Sequence, residues 1–151
     1  MRILLIGDIV GKPGQRIVVQ TLKALRAREQ IDLVVANAEN ALDGSGLSPS
    51  IYKKLIGASV DCITLGDHIY RRNEICSVLN SESNIVKPAN YPPKAPGKNW
   101  AVVTAASGEQ VAVFSLLGRV FMKPVDCPFQ AAERVLAEIP AEVKIRVLDF
   151  H

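Results

Sequence analysis

The sequence is poor in cysteine, in net charge and in long apolar runs, and each shortage closes off a class of protein. Its 151 residues include three cysteines, Cys62, Cys76 and Cys127. They are odd in number, widely spaced and without a Cys-x-x-Cys pair, which argues against both a disulfide framework and a zinc ribbon. Cys62 lies inside an apolar run and reads as a small core residue. The net charge is only +3. That is too weak for the concentrated basic footprint of a nucleic-acid binder, so no stable nucleic-acid partner is expected. The densest basic stretch, 12–28, interleaves Lys12, Arg16, Lys23, Arg26 and Arg28 with Ile17, Val18, Val19, Leu22 and Leu25. This is the pattern of an amphipathic helix with a solvated face. The apolar amino terminus breaks at Gly7-Asp8, far short of a secretory core or a membrane span. A cytoplasmic protein with reduced thiols and no membrane partner is expected. No repeat, low-complexity segment or linker divides the chain, and residues 1–151 read as one domain.

What is present is a β-α-β-α-β-α order over the first half. Ile3 to Ile6 is fully apolar, as expected of a buried parallel strand. Pro13 suits a first helical turn, predicting a helix over 14–29. A strand follows over 31–36. Ser48-Pro49 is a cap and first-turn pair, opening a helix that runs to Gly57, where the glycine suits a C-terminal cap. A third strand covers 60–65 and a short helix 71–79. Such an order predicts a parallel sheet covered by helices, with ligands bound beyond the carboxyl ends of its strands. The second half differs. Four prolines make 87–97 an irregular loop. Segments 100–105 and 110–116, joined through Ser107-Gly108, predict a hairpin. A helix follows from Asp126-Pro128 to Pro140, and a last strand covers 144–150.

The chemistry-bearing residues fall where strands end. Gly7-Asp8-Ile9-Val10-Gly11-Lys12-Pro13-Gly14 resembles a phosphate loop at first sight. Only three residues separate Gly7 from Gly11, however, and Pro13 stands where a hydroxyl is needed. The dinucleotide fingerprint is absent too. Asp8 remains, either as a turn residue or as a cation ligand. Glu39-Asn40 offers hard oxygens suited to Mn, Mg or Fe(II), or else forms a solvated turn. In Gly66-Asp67-His68, the imidazole can ligate a metal, donate a proton or simply bond a backbone carbonyl. His151 has the same alternatives.

Together these segments resemble the calcineurin-like metallophosphoesterases, and among them the YmdB-like phosphodiesterases. The carriers are Ile6-Gly7-Asp8-Ile9-Val10-Gly11, Asn37-Ala38-Glu39-Asn40, Thr64-Leu65-Gly66-Asp67-His68, Pro88-Ala89-Asn90-Tyr91-Pro92-Pro93, Gly118-Arg119-Val120-Phe121-Met122, Asp126-Cys127-Pro128-Phe129 and Asp149-Phe150-His151. The resemblance implies a layered α/β fold with a mainly parallel sheet plus a β-hairpin. It also implies two divalent metal ions at the strand ends, Fe or Mn with Mg as a further option. Asp8 would bind the first metal, Glu39 would bridge both, and Asn40 would lie against metal or phosphate. Asp67 and His151 would hold the second metal. His68 would act as the catalytic acid, protonating the leaving oxygen of a small phosphodiester, with 2′,3′-cyclic nucleotides as the substrate class. Arg119 could approach phosphate or form a structural ion pair. Two departures carry expectations. Asp67 stands where the family usually has asparagine, which predicts altered metal preference or slower turnover. The family also continues to a Gly-Thr-His-Thr-His type segment that supplies further ligands. The domain is therefore expected to be truncated at its C-terminus, with apolar surface that self-association could cover.

Overall fold

The computed structural model describes residues 1–151. In chain order the elements are β1 (Ile3–Ile6), α1 (Gly11–Arg28), β2 (Leu33–Asn37), α2 (Pro49–Gly57), β3 (Cys62–Thr64), α3 (Ile75–Ser81), β4 (Ile85–Val86), β5 (Trp100–Thr104), β6 (Gln110–Leu116), α4 (Pro128–Glu138) and β7 (Ile145–Phe150). Strands β1 to β4 form one parallel sheet in that order; the alternation of strands and helices predicts the parallel sheet of the first three, while the order and the two-residue β4 were not predicted. The hairpin β5–β6 does not extend that sheet. It joins β7, which pairs with β6 in parallel, to make a second, three-stranded sheet.

The two sheets stack, and helices cover their outer faces. Side-chain alternation along each strand assigns the layers. In β2, Val34 and Ala36 join Val18, Leu22, Leu55 and Leu79 in the core under α1, α2 and α3. Leu33 and Val35 face the other way and meet Val111 and Val113 of β6 between the sheets. Cys62 is fully buried in that inter-sheet layer, as its apolar context suggested. Ala112, Phe114 and Leu116 take the third face of the stack and pack against Ala131, Val135 and Ile139 under α4. The fold is thus a helix–sheet–sheet–helix stack of α/β class.

Local chemistry explains most of the element limits. Ser48 accepts a hydrogen bond from Ile51 N at 3.3 Å, and Pro49 occupies the first helical position of α2. Ser48→Ala is expected to cost about 1 kcal/mol of stability, read as a lowered urea midpoint at unchanged slope. Gly57 does not cap this helix. It is the last helical residue, and the left-handed conformation falls instead on Ser59, at φ 80°. Helix α1 begins at Gly11, before the predicted start, with Pro13 inside its first turn. Helix α3 begins only at Ile75, because residues 67–74 are turns that carry the third strand-end motif. One expectation fails outright. The apolar strand β1 is not buried: it lies at the edge of its sheet, and Leu5 is 59% exposed.

Candidate functional site

Four strands deliver their carboxyl ends to one place, three from the first sheet and β7 from the second. Asp8 follows β1, Glu39 and Asn40 follow β2, Asp67 and His68 follow β3, and His151 follows β7. Backbone bonds hold the first two loops together. Ile9 N donates to Asn37 O at 3.0 Å and Gly11 N to Asn40 O at 2.9 Å. The Glu39 loop is also fastened to α1, where buried Gln15 donates through Nε2 to Ala41 O at 2.7 Å.

Glu39 is the centre of the arrangement and is only 1% exposed. Its carboxylate accepts from the backbone N–H of His68 at 2.9 Å and from Asn40 Nδ2 at 3.3 Å. His151 Nε2 lies 2.9 Å from Glu39 Oε1. Burial by itself would raise the Glu39 carboxyl. The His151 bond, the His68 N–H and the positive charge of the two imidazoles outweigh it and hold the group below its ordinary value. The same bond acts on the partner. Opposed by burial and aided by the charges of Glu39, Asp8 and Asp149, it pushes His151 up to about 9. A cation can take that imidazole nitrogen only by displacing its proton.

Asn40 and His68 settle each other's orientation. Asn40 Nδ2 donates to Asp8 Oδ2 at 3.0 Å and to Glu39. Ionised carboxylates only accept, so the nitrogen of the amide must face them. Asn40 Oδ1 then faces His68 Nδ1 at 2.6 Å. An amide oxygen cannot donate, so Nδ1 carries the hydrogen and Nε2 is left for proton exchange. Nε2 lies 3.7 Å from Asp67 Oδ2. Ligation of a cation by Asn40 Oδ1 would require the amide to turn over and give up the His68 bond.

Two groups of side chains come close enough to share an ion, Asp8–Glu39–His151 and Glu39–Asp67–His68, with the ligand atoms of each group within 4.8 Å of one another. Glu39 belongs to both. Carboxylate oxygens and imidazole nitrogens are the donor set that Mn, Fe or Mg-type cations take, so the residues present fit divalent ions. The grouping differs in two respects from what the resemblance implies: His151 falls with Asp8, although its Nε2 also lies 3.6 Å from Asp67 Oδ1, and His68, implied to be the catalytic acid, falls with Glu39 and Asp67. Arg119 is exposed and forms no ion pair.

Beneath these residues lies a layer whose members stand in the sequence motifs but were given no role there. Asp149 Oδ2 accepts from Asn37 Nδ2 at 3.0 Å and from Thr64 Oγ1 at 2.5 Å, tying β2 and β3 to β7 across the two sheets. Asn37 Oδ1 in turn accepts from Glu39 N at 3.1 Å. The signal was a polar residue at the end of each apolar strand: Asn37 after Ala36, Thr64 after Ile63 and Asp149 after Leu148. Asp149→Ala leaves two buried donors without a partner. It is expected to cost about 2 kcal/mol, measured by urea unfolding. Metal affinity is expected to fall on the order of 10–100-fold in the same variant, because Glu39 and His151 lose their support.

Stacked sheets whose strand ends gather carboxylates and imidazoles around one shared glutamate define an α/β protein with a candidate centre for divalent ions. Within that class, residues 4–151 match the family described as YmdB-like protein, and the chain belongs to that family. It is 39% identical over 151 residues to the 2′,3′-cyclic-nucleotide 2′-phosphodiesterase of Bacillus subtilis (strain 168), covering 100% of this chain and 57% of that protein. Among solved structures it is similar to a protein of Thermus thermophilus, with TM-score 0.91, 40% identity and coverage of 100% of this chain and 57% of that one. It is also similar to a phosphatase of Mycoplasma pneumoniae, with TM-score 0.87, 28% identity and coverage of 99% and 54%. The chain spans about half the length of the curated relatives it matches.

Proposed function

We propose that this chain carries the catalytic strand ends of a cytoplasmic, metal-dependent phosphodiesterase acting on small phosphodiesters, with 2′,3′-cyclic nucleotides as the substrate class. The observation that carries the reading is Glu39, a buried carboxylate common to both candidate metal groups. Its relationship to the Bacillus subtilis phosphodiesterase supports the substrate class. Asp8, Glu39 and His151 would hold one ion, and Glu39 with Asp67 the other. When bound, a pair of divalent cations supplies the Lewis acidity that activates water and offsets charge growing on phosphorus.

The protein's own groups do the rest. Asn40 holds the His68 ring by Nδ1 and points Nε2 away from that bond. In its protonated form His68 delivers the Nε2 proton to the leaving oxygen, a contribution of roughly 10²–10⁴-fold for a positioned general acid. Asp67 Oδ2 faces the same nitrogen at 3.7 Å. Its negative charge also opposes approach of an anionic phosphate. Hydrolysis of 2′,3′-cyclic AMP after Mn(II) loading tests the reading. His68→Gln should lower kcat on the order of 10²-fold or more while metal content stays constant. Asp67→Asn should change the metal preference or the rate. Unchanged kcat in His68→Gln would remove the assigned acid.

A second reading is a metal- or nucleotide-binding module without turnover. It is favoured by Asp67, whose carboxylate lies 3.7 Å from His68 Nε2 and opposes approach of an anionic phosphate. Saturable nucleotide binding with no product would select it.

A further inference from the structure

The basic stretch over 12–28 is not a uniform solvated face. Near the end of α1, Arg26 pairs with Asp61 at 2.9 Å and Arg28 with Glu29 at 2.7 Å. Lys12 and Arg16, at its start, form no ion pair, and neither does Lys54 of α2. These three side chains line one pocket of about 690 Å³, bounded by α1, α2 and the loop after Glu39. Its size falls within the range of roughly 300–1,000 Å³ typical of small-molecule sites.

Gln15 lines the pocket too and is only 6% exposed. Its Nε2 donates to Ala41 O at 2.7 Å, so its Oε1 is left to accept from Lys54 Nζ at 3.1 Å. A neutral amide thus anchors that ammonium without cancelling its charge. Asp43 is the one carboxylate in the lining, and it forms no ion pair either. The pocket therefore gathers three positive charges and one negative. Cations held around one cavity repel one another, and an anion placed among them relieves that repulsion. Val19, Leu42 and Ile51 give the same pocket an apolar side.

We propose that this pocket is a second ligand site, for a small molecule bearing a phosphate group. It is separate from the metal groups, since none of their residues lines it. Arg16 offers the planar fork that matches two phosphate oxygens, and Lys12 adds a point charge. The Lys54 ammonium spends one donor on Gln15 and keeps two for the ligand. Asp43 sets the sign of the selectivity: its charge weakens the hold on any anion. The apolar side chains accept the ring of a phosphate ester but are not needed for inorganic phosphate. The site goes beyond the proposed phosphodiesterase reading and requires no hydrolysis.

The test is calorimetric titration of inorganic phosphate and of adenosine 3′-monophosphate into protein freed of metal by a chelator and then of the chelator. Without metal, the carboxylates of the metal groups repel both probes, and binding reports on the pocket. Saturable one-to-one binding is expected. Arg16→Gln and Lys54→Met should each weaken it about fivefold or more. Lys53→Met, which removes a neighbouring charge on α2 outside the pocket, should leave it unchanged. Asp43→Asn should tighten it about twofold or more, a gain that misfolding cannot imitate. Asparagine accepts the left-handed backbone of that position, at φ 51°. Tighter binding of the nucleotide would identify a ring-bearing phosphate ester as the ligand, and equal affinity would identify inorganic phosphate; both support the site. Three results would overturn it: no saturable binding up to about 10 mM of either probe, affinity indifferent to Arg16→Gln and Lys54→Met, or an equal loss in Lys53→Met.

Discussion

Glu39→Gln is expected to abolish metal binding at both candidate groups, whereas Asp8→Ala should abolish it at one. The contrast follows from geometry. Asp8 belongs to a single group, and Glu39 belongs to both. Glutamine preserves shape and can still accept from the His68 N–H that Glu39 bonds at 2.9 Å. It cannot supply negative charge to two cations, and its amide NH₂ would face the His151 nitrogen that now lies 2.9 Å from Oε1. The loss should exceed the roughly 10–100-fold typical of groups that only support a ligand. Metal content after Mn(II) equilibration, measured by mass spectrometry, gives the result directly. About two ions per chain are expected in the parent, about one in Asp8→Ala and close to none in Glu39→Gln. Retention of one tightly held ion in Glu39→Gln would mean that the two groups do not share this carboxylate. Circular dichroism should show a retained fold, because the substitution changes charge and leaves volume nearly constant.

The limits of sequence reading show up at particular residues. The succession of strands and helices along the first half, the hairpin and the capped start of α2 were legible because each rests on local chemistry. Apolar runs bounded by turn residues mark strands, Ser48-Pro49 marks a helix start, and Gly108, at φ 93°, marks a tight turn. Partition into two sheets was not legible. Nothing local in Lys144 to Phe150 says that β7 pairs with β6 and not with the edge at β1. That choice is made by burial of Val111, Val113 and Val147 against Leu33 and Val35, contacts distant in sequence. The exposure of β1 was missed for a related reason. An apolar run reports what a strand can bury, and the neighbours that do the burying are set elsewhere. At the site, Asp8, Glu39, Asn40, Asp67, His68 and His151 were visible as strand-end motifs, and the structure brings all six together. Asn37, Thr64 and Asp149 were not assigned roles, because a polar residue closing a strand is ordinary until its partner across the sheets is known.

Gly66→Ala is expected to damage the site more than any other single-methyl change, and the cause is space alone. Gly66 does not adopt a left-handed backbone, so alanine is conformationally acceptable there. The added Cβ would instead collide with Glu39 Oε2, and would stand 2.6 Å from His151 Cδ2 and 2.7 Å from Glu39 Cδ. Neither neighbour can yield cheaply. Glu39 is buried and fixed by the His68 N–H, Asn40 and His151, while His151 is anchored by its backbone bonds to Leu116 O and from Gly118 N, each at 2.8 Å. Relief must therefore move the β3 loop or turn the carboxylate out of both metal groups. Overpacking of this kind costs about 1–3 kcal/mol, equivalent to a Tm lower by several degrees in a domain of this size. Metal content should fall with it, and the two losses can be separated. Gly57→Ala, at a helical position where an added Cβ meets nothing within 4 Å, is the control. It should leave metal content unchanged and hold or raise Tm, since alanine is the better helix former by about 1 kcal/mol. If Gly66→Ala bound metal like the parent, the close approach of β3, Glu39 and His151 would not be what shapes the centre.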